Sequence, residues 1–329
     1  MKSLLSILLT SVCLAVGAAP AQAQDKYPSR PIKILVPYAP GGATDIVARV
    51  IADRLRETLG QTVVVESKPG AYGIIAIETM VHSAPDGYTL MVGNVSTNTI
   101  TPILYRDKLK DFDKEVVPIM RLVDIPEFLL VATKNFDAKT VPELIAAAKN
   151  NPGKVNYGSV GVGSYPDYDM ALFAKRAGDL QMQGIPNKSG ATGVINDMLT
   201  GSTQAAFLNV ASTAGLVQSG QLRPLAMVNR TRLPEYPDVP TMQEVGFDGV
   251  GTLAWQALFA PAGTPKEVLE TLRKATADAL QSPAVVATFA KQNFNRVPTG
   301  SLDDAKSWLA SEMVRWTKIT QEVKIEIPQ

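Results

Sequence analysis

The sequence contains very few of the side chains that most often carry catalysis or bind metal ions. Cys13 is the only cysteine and His82 the only histidine among 329 residues. One histidine cannot build a histidine-rich metal site. We interpret His82 as a surface residue at a helix end, and no other histidine is available for a catalytic triad. Because Cys13 lies in an apolar N-terminal stretch, the rest of the chain has no thiol for a disulfide, a metal site or a nucleophile.

Motifs for nucleotide binding and for nucleophilic catalysis are missing as well. No Gly-x-Ser-x-Gly segment occurs, and no Gly-rich turn is followed by Gly-Lys-Ser/Thr. The glycines of "GSVGVGS" (Gly158, Gly161 and Gly163) have the wrong spacing for a dinucleotide fingerprint. We therefore expect a protein that is not an enzyme and that holds no metal and no cofactor. A hydrolase with a Ser–Lys dyad or a carboxylate pair stays open as an alternative.

The charge balance shows no excess of either sign. Lys and Arg number 32 and Asp and Glu 31, which gives a net charge of +1. This excludes the basic footprint of a nucleic-acid-binding protein and a polybasic membrane anchor. Hydrophobic residues make up 46% of the chain, enough for a large core and, by length, about two domains.

The N-terminus has the pattern of a bacterial secretory signal peptide. Lys2 precedes an apolar stretch over residues 4–18, and Ala-Gln-Ala at residues 21–23 matches a cleavage site. The apolar stretch is too short to span a bilayer comfortably. We predict that residues 1–23 are removed and that the mature protein is soluble in the periplasm.

Strand-like and helix-like segments alternate along the mature chain. The order β-α-β-α-β from "IKILV" (residues 32–36) predicts a mostly parallel sheet flanked by helices, and the pattern restarts at about Glu127. We predict an α/β protein with a discontinuous domain 1 (24–125 and 252–329) and an inserted domain 2 (126–251). Two crossings would then form a hinge. The alternative is one large doubly wound sheet.

Gly-rich turns join several predicted strands to helices, and the first is "PYAPGGATD" (residues 37–45). A helix start exposes unpaired N–H groups and a partial positive charge, worth about 0.3–1 kcal/mol to a nearby anion. In parallel sheets such turns gather at the carboxyl ends of the strands, where ligands bind. We therefore predict a carboxylate site, while each turn alone is equally consistent with a simple tight turn. The predicted helix-start residues are Thr44 as N-cap with Asp45 in the first turn, Gly70, Ala71 and Gly73, Ser164 with Asp167 as a capping box, and Ser189 with Gly190.

Six segments, in order along the mature chain, resemble one protein family. The chain is similar to the periplasmic substrate-binding proteins of tripartite tricarboxylate transporters, the Bug family. The matching segments are "YPSRPIKILVPYAPGGATDIVARVIADRL", "LGQTVVVESKPGAYG", "APDGYTLMVGN", "YGSVGVGS", "PDVPTMQEVGF" and "LFAPAGTP".

The resemblance implies a type II periplasmic binding-protein fold, in which two domains close like a flytrap. A small carboxylated ligand would lie in the interdomain cleft, held mainly by backbone amides and waters. The resemblance also implies a monomer that delivers the ligand to a membrane permease of one large and one small subunit. The implied binding residues are Tyr38, Gly41, Gly42, Thr44, Asp45, Gly70, Ala71, Gly73, Ser96, Ser159, Ser164 and Asn209.

Three positions depart from the family pattern, all on the implied specificity side. Tyr72 replaces a glycine of Pro-Gly-Ala-Gly-Gly, and Asn187 stands where a tyrosine is usual. The segment "YPDYD" (residues 165–169) stands where a histidine is common. Additional aromatic rings would suit an aromatic carboxylate. Asp167 and Asp169 would favour a cationic group if they face the cleft, and carry no information on the ligand if they only match the dipole of their helix.

Two other functions stay open at this point. A ligand sensor that presents its closed form to a membrane receptor kinase would bind its ligand in the same way. A periplasmic hydrolase would turn its ligand over with a reactive serine, whereas a binding protein would release the ligand unchanged.

Overall fold

The computed structural model describes residues 27–187, 189–297 and 300–327. The predicted signal peptide and Cys13 lie outside these residues. The strands are β1 (Ile32–Val36), β2 (Val63–Ser67), β3 (Thr89–Asn94), β4 (Val116–Ile125), β5 (Glu127–Ala132), β6 (Val155–Ser159), β7 (Met182–Pro186), β8 (Ala205–Asn209), β9 (Leu222–Met227), β10 (Ala254–Pro261) and β11 (Asn295–Arg296).

Helices separate most of these strands. The helices are α1 (Ala43–Leu59), α2 (Ile74–Val81), α3 (Thr101–Leu104), α4 (Phe112–Glu115), α5 (Val141–Asn150), α6 (Tyr165–Arg176), α7 (Gly190–Thr200), α8 (Val210–Gln218), α9 (Lys266–Gln281), α10 (Pro283–Lys291) and α11 (Leu302–Glu322). A 3₁₀ turn (Ala71–Gly73) precedes α2, and a π-helical turn (Ser96–Ile100) precedes α3.

The strands form two sheets, and both are mixed. The first has the order β11-β4-β10-β3-β1-β2 and the second β7-β6-β8-β5-β9. In the first, β1 pairs in parallel with β2 and β3, whereas β10 runs antiparallel to β3 and β4. In the second, β6 pairs in parallel with β7 and β8, whereas β5 runs antiparallel to β8 and β9. The two-domain α/β fold with helix-flanked sheets is confirmed, and each sheet is mixed because β5 and β10 run against their neighbours.

Helix α1 shows how the apolar pattern fixes the packing. Val47, Ile51 and Leu55 recur at intervals of four residues on one face, and each side chain is fully buried. The helix ends where Gly60 takes a left-handed conformation (φ 68°) and donates its N–H to the Arg56 carbonyl. Burial of this face places the N-terminus of α1 at the carboxyl end of β1.

The chain passes from the first sheet to the second between β4 and β5, through the single residue Pro126. It returns to the first sheet between β9 and β10. Helix α11 contacts the second sheet's helix α6, where the Trp316 ring lies edge-on against Tyr168 with centroids 6.0 Å apart. On the same two helices, Arg176 forms a two-pronged ion pair with Glu322 at 3.1 Å. The predicted domain bounds stay a prediction.

Sequence reasoning did not identify β4, the π-helical turn or α10. His82 is exposed and lies at the C-cap of α2, as predicted. Within the described ranges, no helix combines the length and apolarity needed to cross a bilayer.

Candidate ligand-binding cleft

Loops at the carboxyl ends of parallel strands from both sheets meet, and the place where they meet is the candidate cleft. The loop after β6 reaches the turn after β3, where the Tyr165 N–H donates to Ser96 Oγ at 3.3 Å. A Cβ at Gly163 would lie 2.7 Å from Ile327 Cδ1 and at contact distance, 3.4 Å, from Leu104 Cδ1. The structure therefore brings together loops that lie far apart in sequence and belong to different sheets.

The first loop is closed by its own helix. The Gly41 N–H donates to Asp45 Oδ2 at 2.9 Å, and Arg49 forms an ion pair with Asp45 Oδ1 at 2.9 Å. Burial raises the pKa of Asp45, but hydrogen bonds from Arg49 and Gly41 outweigh it and lower the pKa below its usual range. Asp45 lies in the first turn, as predicted. Its anionic form keeps the loop folded against the start of α1.

Thr44 is not the N-cap of α1, so that prediction was wrong. Gly42 occupies the N-cap position in an extended conformation (φ −80°, ψ 171°) and Ala43 begins the helix. The Thr44 hydroxyl instead donates to Gln256 Oε1 of β10 at 2.8 Å. The side chain turns into the buried interior because Gln256 offers an acceptor there. The orphan N–H groups at the start of α1 are therefore not capped by Thr44.

The loop after β6 repeats the construction of the first loop. The Gly163 N–H donates to Asp167 Oδ2 at 2.9 Å, and the acceptor again lies four positions after the donor. Ser164 is the N-cap of α6, as predicted, but its hydroxyl donates to the Gly161 carbonyl. The predicted capping box is therefore wrong, because Asp167 accepts from Gly163 and not from Ser164. Asp167 is buried and holds its loop through Gly163, so its role is not limited to an interaction with the helix dipole at the surface.

The second loop of the first sheet is unusual in its backbone. Gly70, Ala71, Tyr72 and Gly73 all have positive φ, with values of 45° and 56° at the two side-chain-bearing residues. Gly73 must be glycine, since a Cβ there would lie 2.5 Å from Thr97 Cγ2. The loop is a left-handed 3₁₀ turn, and helix α2 begins only at Ile74.

Tyr72 lies at the outer part of this loop. Its side chain is 46% exposed and stacks on Tyr105, with ring centroids 5.4 Å apart at 26°. The Tyr72 carbonyl accepts a hydrogen bond from the Thr101 hydroxyl at 2.9 Å. An aromatic pair thus stands beside α3, with Tyr72 exposed and Tyr105 half-buried.

A buried polar network fills the first-sheet side of the cleft. The Tyr38 hydroxyl donates to Asn94 Oδ1 at 2.9 Å, and Asn94 Nδ2 donates to Thr44 Oγ1 at 3.4 Å. The network continues from Thr44 to Gln256. Burial raises the pKa of Tyr38 to about 12, so its hydroxyl stays neutral at physiological pH. Gln256 was not predicted from sequence because it lies in an otherwise apolar strand.

Buried acids fill the second-sheet side. The Tyr165 hydroxyl donates to Glu127 Oε1 at 2.5 Å, and the Thr252 hydroxyl donates to Asp169 Oδ1 at 2.9 Å. Burial raises the pKa of Glu127 well above its usual range and that of Asp169 to about 7, although Arg315 opposes the second shift. Sequence reasoning missed Glu127 because a single acid before an apolar strand is usually an exposed residue that marks the strand's start.

Three further residues predicted for the site serve their own loops. Asn209 caps α8 by accepting the Ser212 N–H at 2.8 Å. Asn187 accepts the Ser189 N–H and donates to Asp197 Oδ2 at 2.8 Å, which fixes the start of α7. The buried Ser159 hydroxyl donates to the Gly161 carbonyl at 3.3 Å. These contacts shape the loops, and a role in ligand binding stays a prediction.

Other parts of the surface carry cavities that are unrelated to the cleft. One of about 250 Å³ lies between α6 and the end of α11, and another of about 330 Å³ lies beside α10. In the described part of the chain, no group of three or more His, Cys, Asp or Glu side chains is arranged to hold a metal ion. The candidate cleft differs from these cavities in its aspartate-closed glycine loops and its buried polar side chains.

Comparison with known proteins gives a consistent result. A family model described as "Tripartite tricarboxylate transporter family receptor" matches residues 47–325. Protein BugT of Bordetella pertussis is 35% identical over 327 residues, which cover 98% of this chain and 98% of that protein.

Two solved structures share the fold over nearly their whole length. R. palustris Rpa4515 with adipate has a TM-score of 0.81 at 29% identity, and the match covers 91% of this chain and 99% of that chain. MatC (Rpa3494) from Rhodopseudomonas palustris with bound malate has a TM-score of 0.77 at 27% identity, over 89% and 99%.

Proposed function

The chain belongs to the family of tripartite tricarboxylate transporter receptors, and on this premise we propose that it captures a small carboxylate in the cleft between its two sheets. The family and its structural neighbours are periplasmic binding proteins of transporters, not enzymes. The protein would act in the periplasm and deliver its ligand to a membrane permease of large and small subunits.

One observation carries this proposal: two loops on opposite sides of the cleft are built alike. In each, a glycine N–H donates to an aspartate four residues later, at 2.9 Å in both cases. Each aspartate takes up one loop amide and fixes the path of the loop. At the start of α1 the amides of the first helical turn are left for another acceptor. At the start of α6 the Tyr165 N–H donates to Ser96 Oγ and Pro166 has no N–H, so α6 contributes mainly the partial positive charge of its dipole. Two helix N-termini held in this way favour an anion between them.

Closure would follow from the ligand's preference for one arrangement of the two sheets. Groups from both sides contribute, so the closed form offers more hydrogen bonds than the open form. A ligand shifts such an equilibrium only by its differential affinity for the two forms. The direct contact between Tyr165 and Ser96 is an example of a bond that forms across the cleft.

The ligand class is inferred from the relatives and from this chain's own departures. The neighbours that contain adipate and malate support a small aliphatic dicarboxylate. The stack of exposed Tyr72 on half-buried Tyr105 supports an aromatic acid as an additional candidate. Both classes share the carboxylate that the loop amides would bind.

A thermal-shift screen of the mature protein tests the proposal. The screen would contain adipate, malate, succinate and benzoate, with the corresponding neutral amides as controls. A ligand at about 100 times its Kd stabilises the folded state by about 2.7 kcal/mol, which is a measurable shift. We expect a shift with at least one acid, no shift with its amide, and recovery of the acid unchanged by mass spectrometry. No shift with any acid, or conversion of the acid, would contradict the proposal.

A further inference from the structure

We propose that Glu127 selects, among small carboxylates, those that also carry a protonated nitrogen. This inference rests on the proposed function, because it concerns a second contact within the same cleft. Glu127 would accept a hydrogen bond from the ligand's ammonium group while the loop amides hold its carboxylate.

The strand register places Glu127 at the cleft edge of the second sheet. Glu127 begins β5 and lies opposite Asn209, the last residue of β8. Because β5 runs antiparallel to β8, the start of β5 meets the carboxyl end of β8. Tyr165, the first residue of α6, donates to Glu127 from the loop that contacts Ser96. The carboxyl group thus lies where the two sides of the cleft meet.

Two carboxyl oxygens at this point have no hydrogen-bond partner among the described residues. They are Glu127 Oε2 and Asp169 Oδ2, in side chains of residues that are 1% and 0% exposed. Asp169 follows Tyr165 by four residues, so both side chains leave α6 on the same face. Buried polar atoms without partners are rare and costly in folded proteins. Glu127 on β5 and Asp169 on α6 both lie near Tyr165, so their two free oxygens indicate a site that accepts hydrogen bonds from a bound group.

The charges around Glu127 favour a cation over a second anion. The groups that face it are the hydroxyl of Tyr165 and the carboxyl of Asp169, with Tyr38 beyond Tyr165. The charge of Arg315 opposes the raised pKa of Asp169, and its guanidinium donates to the Gly251 carbonyl at 3.1 Å rather than to Glu127. No lysine or arginine within the described ranges forms an ion pair with Glu127, so a ligand ammonium would supply the missing positive charge.

A ligand with both groups would match both halves of the cleft. Its carboxylate would accept hydrogen bonds at the start of α1, and its ammonium would lie against Glu127. An ammonium group has three donors and no acceptor, so it satisfies carboxyl oxygens that a carboxylate would repel. If Glu127 stayed neutral when the ligand binds, it would donate a hydrogen bond to an anionic ligand, and the experiment below distinguishes this case from the proposed one.

Binding of the cation would also change the protonation of the site. Burial raises the pKa of Glu127 well above its usual range and so favours the protonated form in the free protein, whereas an adjacent ammonium favours the ionised form. Ligand binding would therefore release about one proton, and affinity would rise as the pH increases. A plain dicarboxylate would release none. Asp169 shares this environment, so Asp169→Asn is included to separate its contribution.

The experiment uses pairs of acids that differ by one ammonium group. The pairs are adipate with 2-aminoadipate, succinate with aspartate, and benzoate with 4-(aminomethyl)benzoate. Affinity and proton release are measured by calorimetry in buffers of different ionisation enthalpy. The measurements run from about pH 5.5 to 8, the range in which carboxyl groups with a raised pKa are expected to titrate. The proteins are the wild type, Glu127→Gln, Asp169→Asn and Glu78→Gln, where Glu78 is an exposed acid.

We expect at least one ammonium-bearing acid to bind the wild type about tenfold more tightly than its plain partner. Glu127→Gln should remove this preference and the proton release, while the affinity for plain acids is kept. Glu78→Gln should behave as the wild type does. The proposal is overturned if no ammonium-bearing acid is preferred, or if Glu127→Gln weakens both members of a pair equally. Binding of plain acids alone would overturn only this inference, whereas no binding by any acid would overturn the proposed function as well.

Discussion

At the residue scale, the two adjacent glycines of the first loop differ in what they permit. Gly41 has a φ of 94°, where a side chain would be strained, whereas Gly42 has an ordinary φ of −80°. A Cβ added to Gly42 meets no atom within 4 Å. Gly42 is therefore the position at which a side chain can be added without disturbing the fold.

Gly42→Asp is expected to abolish carboxylate binding. It places a negative charge at the start of α1, where the ligand's carboxylate would lie. Aspartate is favoured at the N-cap, so the variant should fold at least as stably as the wild type. Gly42→Ala is the matched control and should bind within about threefold of the wild type, a difference below 1 kcal/mol. Calorimetry with an acid from the screen measures both, and wild-type affinity in Gly42→Asp would contradict the first-loop assignment.

Tyr72→Gly is expected to change ligand preference with little change in stability. The variant loses the stack on Tyr105, worth about 0.5–1.5 kcal/mol, and relieves a left-handed conformation that costs about 1–2 kcal/mol. These contributions oppose each other, so the free energy of unfolding should change by less than about 1.5 kcal/mol. Competition binding with aliphatic and aromatic acids measures the preference. An unchanged ligand profile would mean that Tyr72 is only a surface residue.

At the element scale, much of the architecture could be predicted because the apolar patterns were clear. Strand β1 and helices α1, α9 and α11 lie where periodicity indicated. Strand β4 was missed because Pro118 removes a backbone donor and normally argues against an interior strand. The structure accommodates Pro118 beside a register irregularity between Leu258 and Phe259 of β10. The antiparallel direction of β5 and β10 was not predicted individually, because local patterns contain no information on strand direction.

The candidate site was predictable in its loops but not in its contacts. The glycines and first-turn aspartates stand out as a pattern along the sequence. The partners of Thr44 and Glu127 are Gln256 and Tyr165, which are distant in sequence and meet only through the fold. Such pairs leave no local pattern, so the N-cap role of Thr44 was wrong and Glu127 was missed.

Helix α11 provides a test of packing between elements. Trp316 is fully buried against Tyr168, whereas Val314 on the same helix is 57% exposed. Trp316→Ala should lower the free energy of unfolding by about 3–5 kcal/mol through the cavity that it creates. Val314→Ala is the control and should change it by less than about 0.5 kcal/mol. Urea unfolding measures both, and equal effects would contradict the packing of α11 on α6.

At the scale of the whole molecule, buried acids lie at both passages between the sheets. Glu127 follows the first passage, and Asp169 is held by Thr252 just before β10. Burial raises the pKa of both groups, so each is most favourable to folding when it is protonated. The contact region between the sheets is therefore predicted to be sensitive to pH.

Asp169→Asn tests this sensitivity. The folded pKa of about 7 lies above the unfolded value near 4, so the contribution of Asp169 is present at low pH and is lost as the pH rises through 7. Asparagine imitates the neutral acid. The stability of the variant relative to the wild type should therefore rise from about pH 4 to about pH 8, a range that includes both the unfolded and the folded pKa of Asp169. Urea midpoints across this range measure the difference. A relative loss at high pH would mean that Asp169 is ionised and stabilised by Arg315.

The most direct test of the account is a crystal structure of the mature protein with a carboxylate that stabilises it in the screen. We predict that one carboxylate group accepts hydrogen bonds from amides of the loop over residues 38–45, with the loop over residues 159–165 closed over it. The opposite result is a carboxylate bound outside the cleft, for example near Lys175 in the cavity between α6 and α11. That position would contradict capture of the ligand between the two sheets.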